Sequence, residues 1–200
     1  MSHLAYQPVR DFEQIVADYA GSKYAVALDN CTNALFLCMK YIDVAGKEVT
    51  IPSHTFVSVP CAIIHAGGKV KFEKGNAKGA YQLKPFPIID GALRFEKGMY
   101  EKGTHHCLSF TGPHKHLKLG KGGMILTDDE KAYEWFKLAR YMGRHEVSHL
   151  TDNFSMVGWN FYMTPDVAAR GLVLMMGVKD TNPDIEAEYQ DLSKYEMFKE

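Results

Sequence analysis

Leu28-Asp29-Asn30-Cys31-Thr32-Asn33-Ala34-Leu35 runs from the end of an apolar stretch through a polar turn into a helical pattern. Tyr24 to Leu28 reads as a short buried strand, and Leu35, Cys38, Met39 and Ile42 fall on one face of a helix. The turn between them offers backbone N–H groups and the Thr32 hydroxyl at a helix N-terminus. Donors and helix dipole there favour a phosphate, although Thr32 serves equally well as a plain N-cap.

The same alternation continues on both sides. Phe12, Ile15, Val16 and Tyr19 mark a helix, with Gly21 as its stop. Glu48 to Ile51 reads as a strand ended by Pro52, Val57 to Ala66 as a helix with Pro60 in its first turn, and Val70 to Phe72 as a strand. Glu73 to Lys84 is polar and reads as a connection without a crossover helix. Phe86 to Ile89 ends at Asp90, and His105 to Phe110 and Met124 to Thr127 are further strands. Asp128 and Asp129 cap a helix running to about Tyr141, Thr164-Pro165 opens another, and a charged helix is expected from about Asn182. The expectation is an α/β three-layer sandwich with a mostly parallel sheet: a single domain over 1–200, with residues 180–200 as a helical tail. Such sheets bind ligands at the carboxyl ends of their strands. That places attention on Asp29–Thr32, Pro52–Phe56, Asp90 and the loop around Lys115.

Composition narrows the function classes. The chain is 46% hydrophobic and 24% charged, which argues against disorder. A net charge of -1 gives no field for nucleic acid or an anionic membrane. No apolar run reaches the roughly 18 residues of a membrane span, and Met1 to Phe12 has no apolar secretion core. Cys31, Cys38, Cys61 and Cys107 form no CxxC pair and read as free thiols, so a cytoplasmic location is expected.

Three segments carry chemistry. Asp90 ends a buried run, where a carboxylate needs a partner such as a protonated pyridine nitrogen, or else caps the next turn. Ser109 to Gly123 is a Gly/Pro-rich loop holding Lys115, Lys118 and Lys121. A lysine there, beside a cofactor, has the means to attack an aldehyde; a solvated basic loop reads the same way. His114 and His116 lack a third ligand of recognisable spacing, so no metal site is expected.

Taken together, the segments resemble the DegT/DnrJ/EryC1/StrS family of sugar aminotransferases, which depend on pyridoxal 5′-phosphate (PLP). Asn30-Cys31-Thr32-Asn33-Ala34-Leu35 resembles the family's S-G-T-x-A-L, and Glu48-Val49-Thr50-Ile51-Pro52-Ser53-His54-Thr55-Phe56 its D-E-V-I-x-P-x-x-T-F. Ile89-Asp90-Gly91-Ala92 is similar to E-D-x-A, and Lys115 to Gly123 to K-x-x-x-x-G-x-G-G. Thr127-Asp128-Asp129, Arg140 to Arg144 and Gly158 to Thr164 resemble T-D-D, R-x-x-G-R and G-Y-N-Y-R-M-T.

The resemblance implies the large domain of a fold-type I PLP-dependent transferase, in a short form that stops near Glu200 where the family continues into a small domain. It implies an amino donor, glutamate or glutamine, a nucleotide-linked keto-sugar acceptor, and a homodimer with shared sites. Lys115 would form the Schiff base and Asp90 would hold the pyridinium. Phe56 would stack on the ring beside Ala92 of the E-D-x-A match. Thr32, the Asn33 N–H and Ser109 would hold the phosphate, and Asn160 would reach it across the dimer. The chain departs from the family in three places. Cys31 replaces a Gly, Leu93 a Gln or His, and Tyr162 an Arg. Counted from Ser109 the lysine position falls on His114; counted back from Gly122-Gly123 it falls on Lys115, which is preferred because Lys-His-Leu also matches. A non-catalytic scaffolding subunit and a PLP-dependent sugar dehydratase stand as alternatives.

Overall fold

The computed structural model describes residues 5–199, and its central strands are buried on both faces. In chain order the elements are α1 (Gln7–Ala20), β1 (Tyr24–Leu28), α2 (Cys31–Ile42), β2 (Glu48–His54), α3 (Ser58–His65) and β3 (Lys69–Asn76). There follow β4 (Tyr81–Gln82), β5 (Ile88–Asp90), β6 (His105–Ser109), β7 (Gly123–Thr127), α4 (Glu130–Ala139) and α5 (Pro165–Met175). Strand residues alternate between two cores. Val26, Leu28, Cys107 and Ile125 pack with α2, α3 and α4; Ala25, Ala27, Leu108, Met124 and Leu126 pack with α1 and α5. Three layers result, as the patterning predicts.

Helix ends follow local chemistry. Gly21 stops α1 with φ 84°, the left-handed region that glycine enters without a Cβ penalty. Asp129 caps α4, accepting from the N–H groups of Lys131 and Ala132 at 2.9 and 3.1 Å. Between the helices lies a buried ion pair. Arg140 Nη1 donates to Glu13 Oε1 and to the Ala27 carbonyl, and the Ala27 N–H donates to Glu13 Oε1 at 2.7 Å. This pair ties the end of α4 to α1 and β1.

Two strands of the main sheet are reversed. The main sheet runs β1-β7-β6-β5-β4, and only β5/β6 in it is parallel; β1/β7, β6/β7 and β4/β5 are antiparallel. Through these pairings β1, β5 and β6 share one direction and β7 and β4 are reversed, a mixed sheet within the expected α/β class. Parallel neighbours need a long crossover. The loop from β6 to β7 holds no helix, and residues 77–80 between β3 and β4 are too few for one. Strands β2 and β3 form a parallel pair of their own. Thr50 and Lys84 join that pair to the main sheet by reciprocal backbone hydrogen bonds of 2.8 and 3.1 Å. The segment after β4 thus joins the two sheets. Strand β2 also continues past Pro52 to His54, with a register shift between those residues absorbing the absent N–H.

The expected helical tail is not present. After α5 the chain runs without regular structure to two 3₁₀ turns, Leu192–Lys194 and Glu196–Phe198. Tertiary partners override helix propensity there. Arg94 grips Asp184 through two hydrogen bonds of 2.8 and 2.7 Å, the Leu93 carbonyl accepts from Ile185 N–H at 2.8 Å, and Lys97 pairs with Asp180 at 2.9 Å. The tail is strapped across the turn that follows Asp90.

Candidate active site

The carboxyl ends of β1, β2, β5 and β6 deliver Thr32, Phe56, Asp90 and Ser109 to one place. These residues, with Ala92 and Lys115, line a cavity of about 280 Å³. Lys115 reaches it from the β6–β7 loop, whereas His114 lies exposed outside it. Lys115 Nζ donates to the Ala92 carbonyl, and the Ala92 N–H donates to Asp90 Oδ1 at 2.9 Å. Amine and carboxylate therefore meet on the two sides of a single residue.

Electrostatics follow from burial. Desolvation raises the pKa of Asp90, opposed by the Ala92 N–H, the Tyr81 hydroxyl and the charge on Lys115. Desolvation lowers that of Lys115, opposed by Cys31 and Asp90. A depressed amine pKa leaves more free base near neutral pH, the form that attacks a carbonyl.

At the helix start, Asn30 rather than Thr32 is the cap of α2. Its side chain accepts from Asn33 N–H at 2.8 Å. Thr32 is thus released from capping, and the Cys31 and Thr32 N–H groups sit in the first turn, where no intrahelical acceptor exists. The Asn33 N–H, expected to hold phosphate, is instead engaged by Asn30, and Asn33 does not line the cavity. Asn160 is also elsewhere, in a separate cavity with Tyr6, Tyr141 and Tyr162. Gly123 explains part of the glycine pair: a Cβ there would sit 2.3 Å from the Asn30 carbonyl carbon and 2.5 Å from Cys31 N. Strand β7 approaches the start of α2 so closely that only glycine fits.

Two lining residues and one partner of Asp90 escape sequence reasoning. Thr111 and Tyr189 line the cavity, and Tyr81 donates to Asp90 Oδ2 at 2.9 Å. Tyr189 comes from the tail, its ring 6.2 Å from that of Phe56. None carries a local pattern; Thr111 is held by Gly122 across its own loop, and Tyr81 and Tyr189 are placed by Asp90 and Phe56.

Beneath the site lies His106, fully buried, with neither ring nitrogen bonded among the described residues. Burial, aided by the charge on Arg94, pushes its pKa down from 6.5 to about 4. The folded state thus binds its proton less readily than the unfolded state. Stability is full above pH 6.5 and falls as pH drops toward 4, by about 3 kcal/mol from this residue. Denaturant titrations at pH 7 and pH 4 should differ less in His106→Leu than in the wild type by that amount.

The residues present fit PLP: a carboxylate for its pyridine nitrogen, an amine for its aldehyde and helix-start donors for its phosphate. Among the described residues no group of three or more His, Cys, Asp and Glu side chains is placed to hold a metal ion. No helix among them is long and apolar enough to cross a membrane.

Solved structures share the fold. AtS13 from Actinomadura melliaura superposes with a TM-score of 0.73 at 18% identity, over 86% of this chain and 60% of that one. A DegT DnrJ EryC1 StrS aminotransferase from Brucella abortus gives 0.73 at 19% identity, over 87% and 59%. The fold is that of the fold-type I PLP-dependent transferases. Among curated proteins, the chain is 42% identical over 197 residues to the spore coat polysaccharide biosynthesis protein SpsC of Bacillus subtilis, covering 77% of this chain and 48% of that protein. It is 25% identical over 212 residues to the GDP-perosamine synthase of Caulobacter vibrioides, covering 85% and 57%. The chain spans about half the length of these curated relatives. The family profile leaves residues 82–91 unmatched, so the placement of Asp90 rests on the geometry above. Matched by that profile at residues 2–81 and 92–194, the chain belongs to the DegT/DnrJ/EryC1/StrS aminotransferase family, whose enzymes use PLP.

Proposed function

We propose that this chain holds PLP covalently on Lys115 and transfers an amino group from glutamate or glutamine to a nucleotide-linked keto-sugar. The observation that carries the reading is the meeting of the Lys115 amine and the Asp90 carboxylate at Ala92, inside one cavity. Relatives named GDP-perosamine synthase and UDP-4-amino-4,6-dideoxy-N-acetyl-beta-L-altrosamine transaminase support a sugar acceptor.

When bound, PLP supplies an aldehyde and an electron-withdrawing ring. The chain supplies the rest. Asp90 would pair with the ring nitrogen and hold its proton. Lys115 binds through its amine, then takes and returns the substrate proton. Thr32, the first-turn amides of α2 and Ser109 hold the phosphate, in preference to the Asn33 N–H. Phe56 would cover a ring face, with the ring of Tyr189 6.2 Å from it. Residues 1–200 act as one PLP-binding domain. Asn160 serves the site of a second copy in a homodimer, and the enzyme works in the cytoplasm.

The test is mass spectrometry and turnover on the full chain. Borohydride should fix PLP to Lys115, and a single turnover with glutamate or glutamine should release one equivalent of the 2-oxo acid. A protein that stays colourless with excess PLP overturns the reading. Release of ammonia from a nucleotide sugar would mark a dehydratase instead, and bound PLP without turnover a scaffolding subunit.

A further inference from the structure

Beside the cofactor carboxylate stands a relay that the family resemblance does not supply. Tyr81 belongs to the two-residue strand β4 and lies directly across from Asp90 in the antiparallel register. Its ring is half-buried, and its hydroxyl donates inward to Asp90 Oδ2 at 2.9 Å. The Thr55 side chain, buried at the end of β2, lies 2.7 Å from that hydroxyl. A phenol has one hydrogen. If it points to Asp90, Thr55 must donate to the Tyr81 oxygen, which polarises the phenol and strengthens its bond to the carboxylate.

We propose that Tyr81, oriented by Thr55, is a positioning residue that holds the Asp90 side chain ionised and aimed at the pyridine nitrogen of PLP. The proposal rests on the PLP-binding reading above. Asp90 is gripped on both oxygens: Oδ1 by the Ala92 N–H and Oδ2 by Tyr81. With both grips in place, the carboxylate keeps one orientation in a site where burial alone would protonate it. The other titratable groups near it are Lys115 from the β6–β7 loop, Cys31 from α2, Cys107 from β6 and Tyr189 from the tail. Of these, only Lys115 carries a favourable charge, and PLP, when bound, would engage its amine. Among the described residues Tyr81 is then the side-chain donor bonded to Asp90, and its bond favours the anionic form. Burial and the Asp90 charge hold the Tyr81 phenol itself neutral, so it stays a donor across the working pH range.

PLP titration of the full apo chain, followed by absorbance from pH 5 to pH 9, tests this. Tyr81→Phe removes only the hydroxyl. It should weaken PLP affinity about tenfold at neutral pH, the cost of one hydrogen bond to a charged group. It should also shift the acid limb of the affinity profile to higher pH, because Asp90 without its donor protonates sooner. A merely structural role would lower affinity evenly at all pH values. Thr55→Val, which keeps the phenol but removes its donor, should move the same limb the same way by less, and it serves should Tyr81→Phe misfold. A Tyr81→Phe profile superimposed on the wild type overturns the proposal, as does an even drop. Wild-type protein that fails to bind PLP refutes the parent reading, and the role of Tyr81 with it.

Discussion

Lys115→Ala is expected to give a folded protein that takes up no covalent PLP and reacts with glutamate at least about 10³-fold more slowly. Two losses combine. The amine is the covalent anchor, and it is also the group that shuttles the substrate proton, a role worth about 10² to 10⁴ on its own. The fold should tolerate the change, since Lys115 sits in a loop and its amine bonds to the Ala92 carbonyl without closing a helix or strand. Lys115→Arg separates charge from nucleophilicity: it restores a cation beside Asp90 yet should remain inactive. Stopped-flow absorbance with glutamate and mass spectrometry after borohydride read both variants. If His114→Ala abolishes attachment and Lys115→Ala does not, the lysine assignment is wrong.

The second large effect is on stability. Glu13→Ala should cost about 3–5 kcal/mol, as breaking one side of a buried ion pair does. The substitution strands the Arg140 guanidinium, 4% exposed, with the Ala27 carbonyl as its remaining named acceptor, and strips the Ala27 N–H of its partner. Since a domain is stable by only about 5–15 kcal/mol, much of the margin would go. Urea denaturation at pH 7 measures it. The double variant Glu13→Ala with Arg140→Met should recover part of the loss, because removing the stranded charge is cheaper than leaving it. A single variant as stable as the wild type would contradict the pairing.

What the sequence made legible was local. Helix faces such as Phe12, Val16 and Tyr19, the Gly21 stop and the Asp129 cap follow from rules acting within one or two turns. The turn at Asp29–Thr32 and the loop at Lys115 were visible because strand ends in an α/β sheet are known places to look. The reversal of β4 was not visible, because it depends on what the connections contain, and the short 77–80 link leaves no room for a crossover helix. Tyr81 was hidden for the same reason: two strand residues in a polar stretch show no period, and only their pairing with β5 brings the phenol to Asp90. The tail was misjudged because Arg94 and the Leu93 carbonyl, some 90 residues earlier, hold Asp184 and Ile185 in place. The engagement of the Asn33 N–H by Asn30 was not visible either, because spacing does not decide between two polar neighbours.

The joint at Thr50 and Lys84 has a consequence for ligand uptake. Thr55 and Phe56 leave one block of strands, β2 with β3, while Asp90 and Ser109 leave the other. A molecule gripped by both walls is a staple across the two blocks, opposing any local opening between them. Loading the pocket would then also tie the two blocks of strands together.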